Sequence, residues 1–128
     1  MATEILVNDG GAPARILPFV AAAAISAGEA LKVDTAGKVA LATHGTAPIV
    51  GIALTDAASG ALCNVVTGRG VVVRIMCKDE NAGVPMMVDT SGTAGCLDAD
   101  GGDGGDIAVA ITLENNGGDD ELTKCLLI

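Results

Sequence analysis

The chain has almost no aromatic residues. Phe19 is its only phenylalanine, and its 128 residues include no tryptophan and no tyrosine. Aromatic side chains normally supply the largest buried areas of a core. This core must therefore be built from Val, Ile, Leu and Ala, each of which buries less. A single copy is thinly stabilised, which predicts that it gains stability from self-association or from a partner surface. Platforms for stacking sugars or bases are missing too. Basic residues are scarce: seven against sixteen acidic ones, for a net charge of −9. Such a field repels phosphate backbones, so nucleic acid is not expected as a partner.

Catalytic constellations are also missing. His44 is the one histidine, and it sits in the polar stretch Thr43-His44-Gly45-Thr46 with no Ser/His/Asp or Cys/His pattern around it. Thr35-Ala36-Gly37-Lys38-Val39 contains Gly-Lys, but not the preceding glycine or the following Ser/Thr of a phosphate-binding loop. Lys38 lies near a turn, yet its neighbours are unlike those of a biotinylated or lipoylated lysine. The chain is therefore expected not to be an enzyme, with no catalytic, cofactor-binding or metal-binding residue. Cys63, Cys77, Cys96 and Cys125 show no C-x-x-C spacing. Their flanks, such as Ile75-Met76-Cys77 and Cys125-Leu126-Leu127, suggest strand interiors, so they are expected to be buried reduced thiols. Reduced thiols imply assembly in a cytosol.

No apolar run reaches membrane-spanning length, and no membrane contact is expected. The run from Ile16 to Ala27 resembles a signal-peptide core, but Glu4 and Asp9 precede it and Arg15 is the only base there, which argues against a secretory leader. The Gly/Asp-rich stretch 98–106 matches the calcium roll pattern G-G-x-G-x-D once, whereas that motif binds calcium only in tandem. It is expected to be a solvated loop, as is Asn115-Asn116-Gly117-Gly118-Asp119-Asp120.

What the chain does have is an internal repeat. Ala27-Gly28-Glu29-Ala30-Leu31-Lys32-Val33-Asp34-Thr35-Ala36-Gly37 and Ala82-Gly83-Val84-Pro85-Met86-Met87-Val88-Asp89-Thr90-Ser91-Gly92 share the pattern A-G-x-x-φ-x-V-D-T-small-G, where φ is apolar. Gly51-Ile52-Ala53-Leu54-Thr55-Asp56 aligns with Ala110-Ile111-Thr112-Leu113-Glu114-Asn115. Leu62-Cys63-Asn64-Val65-Val66 aligns with Leu122-Thr123-Lys124-Cys125-Leu126. The growing offset places an insertion in the second copy, expected within 98–106. Short apolar runs bounded by Gly, Asp, Thr and Ser predict strands at 30–33, 39–42, 49–54, 61–66, 70–76, 85–88, 107–113 and 122–127. Residues 19–27 fit a short helix or a strand equally well, because four consecutive alanines oppose the bracketing Pro18 and Gly28. The expected fold is all-β: a small β-barrel or sandwich of two repeated units. A flexible N-terminal arm is expected at 1–14 and a single β domain at 15–128, with units near 26–76 and 81–128.

The pattern S-A-G-x-x-L-x-V…A-P-I-V-G-I-A-L-T-D-A-A-x-G…V-x-x-x-G-x-V, from Ser26 to Val73, resembles small phage head decoration (capsid cement) proteins. The second copy ends similarly, in Ala108-Val109-Ala110-Ile111-Thr112-Leu113 and Cys125-Leu126-Leu127-Ile128. The resemblance spans about four-fifths of the chain; the acidic insert, the cysteines and the extended N-terminus depart from it. It implies a homotrimer on the outer surface of a virion, assembled in the host cytoplasm, that binds the major capsid protein and stabilises the expanded head. Many weak contacts would act together there. The arm would add a strand to a capsid edge through Thr3, Glu4, Ile5, Leu6 and Val7, with Arg15 and Phe19 beside it. An alternative is an accessory module of a tail or spike that recognises a host glycan or protein. A third, a small enzyme or carrier domain, lacks its constellation.

Overall fold

A computed structural model describes residues 5, 14–43, 49–88, 94–99, 108–118 and 120–128. The protein is all-β: among the described residues there are ten strands and no helix. They are β1 (Arg15–Val20), β2 (Ala30–Val33), β3 (Val39–Leu41), β4 (Gly51–Ala53), β5 (Leu62–Thr67), β6 (Val72–Cys77), β7 (Pro85–Val88), β8 (Leu97–Ala99), β9 (Ala110–Thr112) and β10 (Glu121–Leu127). β6 is the clearest case of sequence dictating strand. Its β-branched run disfavours helix, and buried and half-buried residues alternate strictly along it, the period of a pleated strand with one face in the core.

The ten strands form two copies of one topology. The first sheet has the order β1-β5-β4-β2-β3, and the second is a closed barrel of order β10-β6-β8-β7-β9. Replacing β1 to β5 by β6 to β10 converts one order into the other. The parallel pairing of Cys77 with Leu97 that closes the second barrel has its counterpart in an isolated parallel bridge, Ala21 to Val39, in the first. Turn hydrogen bonds repeat as well. Gly28 N donates to Ala53 O at 2.8 Å, and Gly83 N to Thr112 O at 2.7 Å. Val50 N donates to Leu31 O, and Val109 N to Met86 O. Ala57 N donates to Ile25 O, and Asn116 N to Glu80 O. The structural repeat therefore runs over 15–67 and 72–127, each unit opening one strand before the sequence words that it repeats.

All eight expected strands are present: β2 and β7 have the expected ends, β3, β4 and β9 are shorter, and β5, β6 and β10 differ at their ends by one or two residues. Two were not expected. β1 overlaps the helix-or-strand run 19–27 only at Phe19 and Val20, and it is extended because it pairs along its whole length with β5. β8 takes Asp98 and Ala99 out of the expected acidic loop and pairs them with Met87 and Met86. The linker from β7 to β8 has eight residues against five in its counterpart from β2 to β3, so most of the extra length precedes β8 rather than following Asp98.

Two clusters fill the molecule. Leu31, Val39, Ala53, Cys63 and Val65 pack inside the first unit, with Phe19 half-buried against them. The larger cluster joins the second barrel, including Val73, Ile75, Cys77, Leu97 and Cys125, to Ala30, Ile52 and Val66 of the first unit. The units thus share one core, with the back of the first sheet facing the second.

Candidate interaction surface

The residues expected to touch a partner separate in the structure. Thr3, Glu4, Leu6 and Val7 lie outside the described residues. Ile5 is 2% exposed, within the shared core, and its carbonyl accepts the amide of Arg74 at 2.7 Å. Arg15 is exposed at the start of β1, opposite Thr67. Phe19 faces Cys63 across the sheet and is half-buried. Of the three that are described, Arg15 is the exposed one.

The apolar residues around it were missed. Ile16, Leu17 and Val20 on β1 are 50%, 38% and 37% exposed, and Leu62 on β5, opposite Val20, is 68% exposed. Among the described residues β1 is the edge of its sheet. Ala21 N bonds to Ala61 O, and Ala22 N turns away to Val39 O. Backbone direction alternates along an antiparallel ladder, so Ile16, Pro18 and Val20 present their backbone to the open edge. Pro18, at the centre of that edge, has no N–H to offer an added strand. The edge is therefore blunted against strand addition, while its side chains form an apolar strip that favours packing against a partner. The sequence signal was the repeat itself: the matching positions Met76 and Leu122 are half-buried.

Elsewhere, several described polar side chains tie loops to strands. In the stretch 115–120, expected to be a solvated loop, Asn115, Gly117 and Asp120 are exposed but Asn116 is not. Asn116 is 7% exposed, donates through Nδ2 to Cys77 O at 3.1 Å and Lys78 O at 3.0 Å, and accepts from Gly118 N at 2.9 Å. Lys78 Nζ pairs with Asp120 Oδ1 at 2.9 Å. All four cysteines are buried and unbridged. The Cys77 and Cys125 sulfurs are 3.8 Å apart, far beyond a disulfide bond. Hydrogen bonding to Cys125 and burial push the Cys77 thiol well up, and burial, with Asp120 beside it, pushes Cys96 up to about 12. Neither is a thiolate nucleophile at neutral pH. No group of three metal-ligating side chains occurs among the described residues. His44 and positions 100–106 of the acidic stretch lie outside them. A cavity of 430 Å³ between the units is lined by Ile49, Val50, Val109 and Leu127, with Thr67 and Arg69 as its polar side chains, which is not an acid–base pair.

No family model and no curated protein matches the chain. Among solved structures it is similar to the N base of the head fiber gp8.5 in bacteriophage phi29, with a TM-score of 0.70 and 16% identity over 91% of this chain and 95% of that one. At that identity the likeness establishes a common fold. The resemblance carried by Ser26 to Val73 thus has a structural counterpart: a phage head protein is folded in this way.

Proposed function

We propose that this protein is a structural component of a phage head, located in the virion, which binds the major capsid protein on the outer surface and stabilises the expanded shell without catalysis. The observation that carries this reading is the fold shared with a head fiber base over nearly the whole of both chains. The apolar strip on β1 and β5 supports it, as a surface that water leaves poorly satisfied. The net charge of −9 suits a protein kept soluble at high copy number before assembly in the host cytoplasm and disfavours direct contact with packaged DNA. The working unit is proposed to be a homotrimer, so that each assembly bridges several capsid subunits and modest contacts multiply.

The test is co-sedimentation of the purified protein with emptied, expanded shells of the phage that encodes it, alongside unexpanded shells. Saturable binding to expanded shells, and a higher temperature of shell disruption with the protein bound, are expected. Failure to sediment with either shell form overturns the proposal.

A further inference from the structure

The contact between the two units has two sides, and each side has an unoccupied twin. In the intramolecular contact, the Ala27-Gly28 turn of the first unit lies against β6 and β10 of the second. Met76 N donates to Gly28 O at 2.8 Å. Gly28 is buried, and a Cβ placed on it would meet Leu122. The repeat copies both partners. The twin of the turn is Ala82-Gly83, which is exposed, with nothing among the described residues within 4 Å of a Cβ placed on Gly83. The twins of Val72, Met76 and Leu122 are Ile16, Val20 and Leu62, the exposed strip on β1 and β5. Among the described residues, one molecule therefore displays an uncovered turn in its second unit and an uncovered seat in its first, in the forms that already fit each other between its own units.

We propose that the strip of Ile16, Val20 and Leu62 is the docking site for the Ala82-Gly83 turn of a second copy of this chain, in a head-to-tail contact that repeats the one between the units. Val20 N, directed at the open edge, takes the place of Met76 N and donates to Gly83 O of the neighbour. Pro18 stands where Arg74 donates to Ile5 O, so no amide is left without an acceptor where the neighbour supplies no such carbonyl. Pro85 stands where Ala30 donates to Gly95 O, so that second bond between the units is not repeated. The contact between copies is accordingly weaker than the one within a copy. A head-to-tail contact either closes into a ring or runs on as a filament, and closure at three copies is the assembly proposed above. The contact rests on the repeat and needs no capsid, so it stands or falls separately from capsid binding.

The experiment is light scattering after size exclusion, without capsids, on the full chain and on Leu62→Asp and Ala82→Arg. Both substitutions lie at exposed positions, and circular dichroism and the unfolding midpoint confirm folding. Ile16→Asp tests the same strip should Leu62→Asp fold poorly. Wild-type protein is expected to associate at about 0.2 mM, where sub-millimolar contacts are populated, and each variant to be monomeric there. Mixing the two variants is expected to give a one-to-one dimer and nothing larger, because one contributes an intact turn and the other an intact strip. Monomeric wild-type protein at that concentration overturns the proposal. So do variants that associate like wild type, or a mixture that stays monomeric.

Discussion

Asp56 and Asn115 occupy the same place in the two units and do the same work. Asp56 Oδ1 accepts the amide of Ala27 at 2.7 Å, and Asn115 Oδ1 accepts that of Ala82 at 2.9 Å. Each side chain fastens the Ala-Gly turn that opens β2 or β7 to the end of the fourth strand of its unit. Only an acceptor oxygen is needed, which is why a carboxylate and an amide serve alike. Asp56→Ala and Asn115→Ala are each expected to lower stability by about 1 kcal/mol, the usual net value of such a bond. Asp56→Asn and Asn115→Asp are expected to stay close to wild type. Denaturant melts of the four variants check this.

Glu29 sits beside that turn and gives stability a pH dependence. Burial, with Asp56 nearby, raises its pKa above the ordinary 4.5, although the Ser26 amide bound to Oε1 pulls the other way. A raised acid binds its proton more tightly when folded. Its contribution is full below pH 4.5 and is lost as pH rises through the folded value. Glu29→Gln keeps the acceptor for Ser26 but removes the titration. The stability difference between wild type and variant is expected to shift in favour of wild type as pH falls towards 4.5. Paired melts from pH 7 to pH 4.5 measure it, and a pH-independent difference contradicts it.

How legible this was depended on where the repeated letters fell. The A-G turn and the V-D-T end of β2 and β7 share residues, so that part of the duplication stands out in the sequence. β1 (RILPFV) and β6 (VVRIMC) share almost none, so the repeated words start one strand after each structural unit does. Four alanines after Val20 hid β1, whose extended form is imposed by pairing with β5 residues more than forty positions away. Asn116 was hidden by composition. Asn-Gly-Gly-Asp is what a solvated turn looks like, and its burial comes from carbonyls near residue 77. Surface exposure was the least legible, because Leu62 and Leu122 are the same letter in the same word and only the presence of a neighbouring unit separates them.

Gly28 and Gly83 isolate the packing between units. Both have left-handed backbone, at φ +91° and +81°, so alanine at either is expected to cost about 1 kcal/mol from backbone strain alone. At Gly83 nothing further among the described residues opposes the methyl group. At Gly28 it meets Leu122, which adds an overpacking cost of about 1–3 kcal/mol. Urea melts are expected to rank Gly28→Ala well below Gly83→Ala, and equal losses would show that the turn does not press on β10.

The buried thiols report global opening. Cys96, at about 12, and the still less acidic Cys77 are essentially fully protonated at pH 8, and all four cysteines are buried. Labelling by a thiol-specific disulfide reagent is expected to be slow in the native protein and to release four equivalents at once in denaturant. Rapid labelling of Cys77 or Cys125 under native conditions would show that the second barrel opens on its own.

Ile5 decides whether the start of the chain belongs to this molecule or to a partner. It is 2% exposed, packs into the shared core and accepts the Arg74 amide. Truncating such a side chain removes its transfer free energy and leaves a cavity, so Ile5→Ala is expected to cost about 2–5 kcal/mol. Ile16→Ala is the control: Ile16 is 50% exposed on the open edge, where substitutions usually fall within about 0.5 kcal/mol. The same chemical change at the two isoleucines should therefore give a large loss at one and almost none at the other. Should Ile5→Ala leave the unfolding midpoint unchanged while weakening shell binding, Ile5 is a partner residue, and the intramolecular seat over β6 is not its place in solution. If both measurements move together, shell binding depends on a folded protein. Ile5 then ties β6 to the core, and it is not a residue lent to a capsid.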